Sequence, residues 1–201
     1  RSLYGDADTV NNSVLLAYSN GAAIGQWSRA DLGGSASATN HGVVLAVSYY
    51  GGATGVVSGG YVGSTFGNDG GIHAYAAGTA IGADVYSTGG NATASNAGDV
   101  SAVSYGDNAI GINAGAYGDV AFDNAVDGNV RAYGVSSAIG ANVYSLYGNI
   151  TANNAGTLFA QATGDTTGLS VVGYYDATIT NTGAISAISD MAYANIADGI
   201  F

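Results

Sequence analysis

The chain repeats a pattern about every 28 residues, and this repeat limits the possible folds more than any other feature. Residues 138–156 read "AIGANVYSLYGNITANNAG" and residues 80–98 read "AIGADVYSTGGNATASNAG", identical at 14 of 19 positions. An asparagine recurs at steps of 28, 28, 28, 28, 30 and 27 residues, namely Asn12, Asn40, Asn68, Asn96, Asn124, Asn154 and Asn181. A glycine recurs in parallel, at Gly25, Gly55, Gly82, Gly111, Gly140, Gly168 and Gly199. Periods of this length are typical of solenoids, propellers and repeat arrays.

Apolar and polar residues alternate in three segments of the unit that begins at Gly98: residues 98–105, 108–116 and 118–124. A period of two predicts three short strands per unit, and in the second segment it places Ile110 and Ile112 on one face. A propeller blade needs about 40 residues or more. The sequence therefore predicts one all-β domain over residues 1–201, a parallel β-helix of about seven rungs, with roughly 28–29 residues and three short strands per rung.

The composition agrees with a β-structure and excludes several classes of partner. The 201 residues include 34 Gly and 15 Tyr, but no Glu, Lys, Pro or Cys. Good surface helix formers are thus nearly missing. With 14 Asp against three Arg, the net charge of −11 argues against nucleic acid and anionic membranes as partners. No apolar segment has the length of a membrane span, and the lack of Cys rules out disulfides.

Stacked rungs place equivalent residues above one another, so repeated side chains are expected to form ladders. We expect the seven recurring asparagines to lie at corners, to adopt the left-handed conformation and to hydrogen-bond to their copies. Tyrosine also recurs about once per unit, and these residues are predicted to stack as an aromatic ladder whose role is packing, with a sugar-binding strip as the alternative. They are Tyr18, Tyr49, Tyr75, Tyr105 and Tyr133.

Residues that could carry chemistry are sparse. His41 and His73 are expected in equivalent loops, but no further metal-ligand pattern accompanies them. Acidic residues gather at Asp119, Asp123 and Asp127, and at Asp6 with Asp8, where glycosidase carboxylates or calcium ligands are conceivable. Neither group repeats from unit to unit. We therefore predict no enzyme activity, and no catalytic, cofactor or metal site.

Several units resemble the repeats of bacterial autotransporter passenger domains. The segments that carry this resemblance are "GDVSAVSYGDNAIGINAGAYGD" (98–119), "GNITANNAGTLFAQATGD" (148–165) and "ATITNTGAISA" (177–187). The resemblance covers all seven units but concerns a style of repeat. It implies a right-handed parallel β-helix displayed outside a Gram-negative cell, commonly as an adhesin or biofilm component.

The sequence thus predicts a structural extracellular rod: a cell-surface adhesin or a self-assembling fibre. A polysaccharide-binding or polysaccharide-degrading β-helix is the alternative, and an ice-binding solenoid is disfavoured because Thr-x-Thr is confined to one short segment, residues 178–182. The two ends share one phase, since "ADGIF" followed by "RSLYGD" aligns with "AIGIN" and "AGAYGD", with Gly199 on Gly111. We therefore expect the rod to continue beyond both ends, either by head-to-tail stacking of copies into a homopolymer or as part of a longer array. Surface glycans or other cells are further expected partners.

Overall fold

The computed structural model describes residues 1–190 and 194–200, and side chains are described through residue 190. The described chain is all β, with 22 strands and no helix. No described segment forms a helix that could cross a membrane. The predicted three strands per unit are present: the segments at 98–105, 108–116 and 118–124 form β12 (Asp99–Ser104), β13 (Ala109–Ala116) and β14 (Val120–Asn124).

The strands form three parallel sheets, each built from one strand per turn of the chain. Sheet 1 contains β1 (Ser2–Tyr4), β4 (Ala23–Leu32), β7 (Ala53–Gly60), β10 (Ala80–Ser87), β13, β16 (Ser137–Ser145), β19 (Asp165–Gly173) and β22 (Ala194–Ile200). Apart from the short β1, its strands are the longest in the fold. Sheet 2 contains β2 (Ala7–Asn11), β5 (Ser35–Asn40), β8 (Gly63–Asn68), β11 (Asn91–Asn96), β14, β17 (Ile150–Asn154) and β20 (Ala177–Asn181). Sheet 3 contains β3 (Val14–Ser19), β6 (Val43–Ser48), β9 (Gly71–Ala76), β12, β15 (Asn129–Tyr133), β18 (Thr157–Ala162) and β21 (Ala184–Ser189). The fold is therefore the predicted β-solenoid of about seven turns.

The pairing is in register, so one position of the repeat forms a column along the rod. In sheet 2, for example, Asp8 pairs with Ser37, and the pairing continues through Thr65, Thr93, Ala121 and Thr151 to Thr178. Neighbouring rungs are separated by the usual strand spacing of about 4.8 Å. Each side chain consequently has its equivalent as a neighbour above and below.

Small and branched apolar side chains fill the interior. One column runs through Val44, Ile72, Val100, Val130 and Leu158, all fully buried. A second cluster, at the narrow corner between sheets 3 and 1, consists of alanines alone. Small side chains pack closely at this corner, and in one rung Thr166 takes the place of Ala in the column and is buried as well.

A glycine column bends sheet 1 and changes which side chains face inward. A Cβ on Gly82 would collide with the Val100 side chain and lie 2.5 Å from the carbonyl oxygen of Gly111. At this bend two consecutive residues face the core, and the alternation slips by one position. The prediction that Ile110 and Ile112 share a face is therefore wrong: Ile112 is buried, and Ile110 points to the outer surface.

Gly199 does not belong to this glycine column. The register pairs Gly199 with Val171, whereas the equivalent of Gly168, which lies between the paired residues Thr167 and Leu169, falls at position 196. The predicted alignment of Gly199 with Gly111 is wrong by three residues, because the last unit has Ile196 at this position and the spacing pointed to the next glycine along the chain. Phe201, used in the same alignment, lies outside the described residues.

Candidate functional site

A continuous ladder of asparagine amides runs along the corner between sheets 2 and 3. Each side-chain nitrogen donates to the side-chain oxygen of the next rung, at 2.7–2.9 Å, through Asn11, Asn40, Asn68, Asn96, Asn124, Asn154 and Asn181. Within its own turn, Asn96 also donates to the carbonyl oxygen of Gly98 at 3.0 Å. An amide carries both donors and acceptors, so one residue type can serve in every rung. The ladder is therefore a structural feature of the core edge, and it has one direction along the rod.

The first member of the ladder is Asn11, and the prediction of Asn12 is wrong. Asn11 is buried and pairs in register with Asn40, while Asn12 faces solvent. The two neighbours cannot be separated by spacing, but strand alternation places one inward and the other outward. The predicted left-handed corner conformation is also absent, because Gly5 and Gly33 are the described residues with positive φ.

The predicted tyrosine ladder does not form. Tyr18, Tyr75 and Tyr133 share one column, but Val47 and Val103 alternate with them. Tyr49 and Tyr105 lie two positions after those valines and belong to a second column. The recurrence of about one tyrosine per unit therefore combines tyrosines from two different positions of the repeat. Tyr133 does contact an aromatic ring, that of Phe159, at 5.4 Å between ring centroids.

A different set of tyrosines forms a contiguous surface near the corner between sheets 1 and 2. We call it the tyrosine face, and it comprises Tyr86, Tyr117, Tyr144, Tyr147, Tyr174 and Tyr175 together with Leu146. The ring centroids of Tyr117 and Tyr147 are 4.7 Å apart and those of Tyr147 and Tyr174 are 6.4 Å apart, with interplanar angles of 41° and 44°. Tyr174 meets Tyr175 edge-on at 5.4 Å. Sequence reasoning missed this surface, although the recurring "AYGD" (116–119) and "LYGN" (146–149) could have indicated it.

Glycines in the neighbouring rungs provide the space in which two of these rings lie. Tyr144 pairs in register with Gly115, and its ring occupies the position that a Cβ on Gly115 would take. Tyr86 covers Gly59 in the same way. The alternation of Tyr and Gly in this column leaves a cavity of about 260 Å³ between the rings, bordered by Tyr86, Tyr117, Tyr144 and Leu146. A second cavity, of about 480 Å³, adjoins it at Leu146 and is lined by Tyr147, Tyr174 and Tyr175.

A short column of polar side chains borders the tyrosine face on sheet 1. Asn142 donates to Asn113 at 2.9 Å, and Asn113 donates to the carboxylate of Asp84 at 2.8 Å. Burial raises the pKa of Asp84 above its usual range, against the opposing effect of the Asn113 hydrogen bond. Burial and the nearby Asp84 carboxylate also raise the pKa of Tyr144. We call Asp84, Asn113 and Asn142 the amide column.

The structure does not bring the predicted chemical groups together. His41 follows the ladder residue Asn40 and pairs with Asp69, with 2.7 Å between Nδ1 and Oδ1. His73 instead lies within β9, opposite Leu45, so the prediction that the two histidines occupy equivalent loops is wrong. Across the described residues, no three His or Asp side chains form a group that could hold a metal ion.

Two of the acidic residues singled out from the sequence, Asp119 and Asp6, accept hydrogen bonds from the backbone. Asp119 accepts the backbone N–H of Asn149 at 2.7 Å, and Asp6 accepts that of Ser35 at 2.8 Å. Both carboxylates thus link the corner of one rung to the backbone of the next. Asp123 is exposed in strand β14, next to the buried Asn124 that ends the strand, and Asp127 is exposed in the following turn.

No family model matches the chain, and neither a curated protein nor a solved structure matches it significantly. The resemblance to autotransporter repeats accordingly stays a prediction from the sequence. The function has to be argued from the geometry of the rod itself.

Proposed function

We propose that this protein is a structural element, a rigid rod that extends by end-to-end strand pairing between copies into a self-assembling fibre. The fibre is proposed to act outside a bacterial cell, as a surface or biofilm component with an adhesive role. The repeat style of the sequence supports this location, and the regular stacking of three sheets supports a mechanical role. The observation that carries the proposal is the match between the edges of the first and last rungs.

Strand β4 presents an edge that fits strand β22. On its outer side β4 pairs with β1 at Ala30 and Leu32. The remaining stretch, residues 23–29, corresponds by register to residues 194–200 of β22: Ala194 occupies the column of Ala23, and Ile200 that of Arg29. In a head-to-tail stack, β22 of one copy would thus lie beside β4 of the next without displacing β1. Adding a strand to an open sheet edge supplies main-chain hydrogen bonds to both partners.

Among the residues whose side chains the structure describes, apolar groups in interior columns are partly exposed in the first and last rungs. Leu15, in the first rung, is half-buried, whereas its neighbour in the same column, Val44, is fully buried. In the last rung Ile179 is 39% exposed, although it occupies the column of the fully buried Ala152. Covering these side chains would remove apolar area from water, which favours association. End rungs of solenoids otherwise need a polar cap.

The direction of the asparagine ladder favours head-to-tail over head-to-head contact. Every side-chain nitrogen donates toward the C-terminal rungs, up to Asn154, which donates to Asn181. A following copy would present the side-chain oxygen of Asn11, which has a second lone pair beyond the one that accepts the Ser13 N–H. The nitrogen of Asn181 could donate to it and continue the ladder. A contact of this heterologous type does not close on itself and therefore grows into a filament.

Light scattering as a function of concentration tests the proposal. The expected result is a mass that rises with concentration, together with unbranched filaments in electron microscopy. Ile179→Lys should suppress this growth, because an inward-pointing charge on an end strand opposes pairing. Ile188→Lys is the matched control, since Ile188 is 43% exposed but points outward from sheet 3. A mass that stays monomeric at all concentrations, or equal growth in both variants, would contradict the proposal.

A further inference from the structure

The tyrosine face combines properties that a carbohydrate chain would recognise. Four of its rings are exposed to solvent, from 46% for Tyr117 to 76% for Tyr174, and the rings of Tyr86 and Tyr144 are half-buried. Rings in successive rungs form a row along the rod, with centroids 4.7 and 6.4 Å apart. That spacing is similar to the length of one pyranose ring in an extended glycan. An exposed row of aromatic rings of this kind offers apolar area while the hydroxyl groups remain in contact with water.

The amide column supplies the polar half of such a site. Asn113 and Asn142 are held by their mutual hydrogen bond and by the bond to Asp84. Asn113 is in addition hydrogen-bonded to Tyr144. Asn142 still has a second N–H and a second lone pair on its side-chain oxygen, which can bind sugar hydroxyls. Because the hydrogen bonds of the amide column hold these side chains in place before a ligand binds, binding would cost less conformational entropy than it would with free side chains. The sugar faces with axial C–H groups would pack on the rings, and the hydroxyls would reach the amides.

The charge of this region selects among glycans. The chain carries three Arg and no Lys, and Asp84 lies at the start of the amide column. An anionic polysaccharide would approach a protein of net charge −11. The nearest cationic side chain is that of Arg29, which lies in the column of Tyr86 and forms an ion pair with Asp31. A neutral chain meets no such repulsion.

From these observations we propose that the tyrosine face and the amide column together bind a neutral, extended polysaccharide that lies along the rod. The site lies on the lateral surface, from Tyr86 in β10 to Tyr175 just before β20, and the inference does not rest on end-to-end assembly. In a filament the sites would repeat along the fibre and increase avidity.

The test is calorimetric titration of the 201-residue chain with neutral oligosaccharides, namely cellohexaose, xylohexaose and N-acetylchitohexaose, and with anionic oligogalacturonate. We expect at least one neutral hexasaccharide to bind and oligogalacturonate not to bind. The double variant Tyr117→Ala/Tyr147→Ala should weaken binding at least tenfold. The double variant Tyr49→Ala/Tyr105→Ala should change it less than twofold, since it removes two rings of greater exposure that directly follow strands β6 and β12 of sheet 3.

Two further variants separate recognition from folding. Tyr147→Phe keeps the ring and should retain binding, and Asn142→Leu leaves the rings in place and should weaken it. Circular dichroism of each variant reports the fold, and light scattering reports assembly separately from binding. The proposal is overturned if no neutral hexasaccharide binds the unmodified chain, or if oligogalacturonate binds as well as the neutral probes. It is also overturned if Tyr49→Ala/Tyr105→Ala loses as much affinity as Tyr117→Ala/Tyr147→Ala.

Discussion

The side-chain amide of Asn96 donates a hydrogen bond to the side-chain oxygen of Asn124, with 2.9 Å between the two atoms, although the residues are 28 positions apart. Both side chains are buried. Asn68 donates to Asn96 from the other side at 2.8 Å. A residue in the middle of this ladder therefore satisfies polar atoms in two neighbouring rungs as well as in its own turn.

Replacing Asn96 by Ala should destabilise the protein by about 3 kcal/mol, because it removes the donor to the buried side-chain oxygen of Asn124 and one acceptor of the Asn68 side-chain nitrogen. Asn12→Ala is the control, since Asn12 faces solvent and should change stability by no more than about 0.5 kcal/mol. Urea unfolding followed by circular dichroism measures both changes. Equal losses in the two variants would show that the ladder does not contribute as described.

Replacing Gly82 by Ala should cost about 1–3 kcal/mol or more, because the added methyl group would meet the Gly111 backbone, which a change of rotamer cannot move. Gly67→Ala is a matched control in a neighbouring strand, where the nearest atom to a Cβ is 3.9 Å away. The midpoint of urea unfolding should fall for Gly82→Ala and stay close to that of the unmodified chain for Gly67→Ala. A tolerated alanine at position 82 would argue against the close approach of the glycine column.

Asp84 should make stability depend on pH in a specific direction. Burial raises its pKa in the folded state, so the folded chain binds this proton more tightly than the unfolded chain does. The free energy of unfolding should therefore fall as pH rises from the ordinary Asp value, about 3.9, through the raised value. Asp84→Asn removes this titration, and its amide oxygen can still accept the Asn113 hydrogen bond.

Asp84→Asn is thus expected to be more stable than the unmodified chain at pH 7, and the gain should disappear below about pH 3.5. Asp127→Asn makes the same change of net charge at an exposed turn and serves as the control. Urea unfolding at several pH values measures the difference for each variant. A difference between Asp84→Asn and the unmodified chain that does not vary with pH would contradict the assignment.

The repeat period was sufficient to predict the architecture, because stacking in register is the way in which units of about 28 residues with three short strands can bury their apolar faces. It predicted strand positions well, as β12, β13 and β14 show. It could not choose between Asn11 and Asn12, because a period carries an uncertainty of a residue wherever turn lengths vary. That choice depends on which of the two faces the core.

The surface was harder to predict than the core. Ile110 points outward because the backbone bends at Gly111, and alternation alone cannot include such a slip. The tyrosine face depends on ring positions that cross rungs, as where Tyr144 lies over Gly115. A sequence pattern shows that Tyr and Gly alternate in a column, but the direction in which each ring lies follows from packing in three dimensions.

The central claim is that copies of the chain stack head to tail with the register preserved across the junction, and a disulfide tests this directly. The chain has no cysteine, and Asp8 and Thr178 occupy one outward-facing column, six rungs apart, or about 29 Å. Within one molecule Asp8→Cys and Thr178→Cys cannot form a bond, but across the junction their Cα atoms would be about 4.8 Å apart, within disulfide range. Asp8→Cys with Thr180→Cys is the control, because a shift of two residues gives a separation of about 7–8 Å.

After mild oxidation, non-reducing electrophoresis should show a series of covalent multimers for the Asp8→Cys/Thr178→Cys chain, and monomer for the Asp8→Cys/Thr180→Cys control. Monomer in both, or the same multimers in both, would contradict head-to-tail stacking in register.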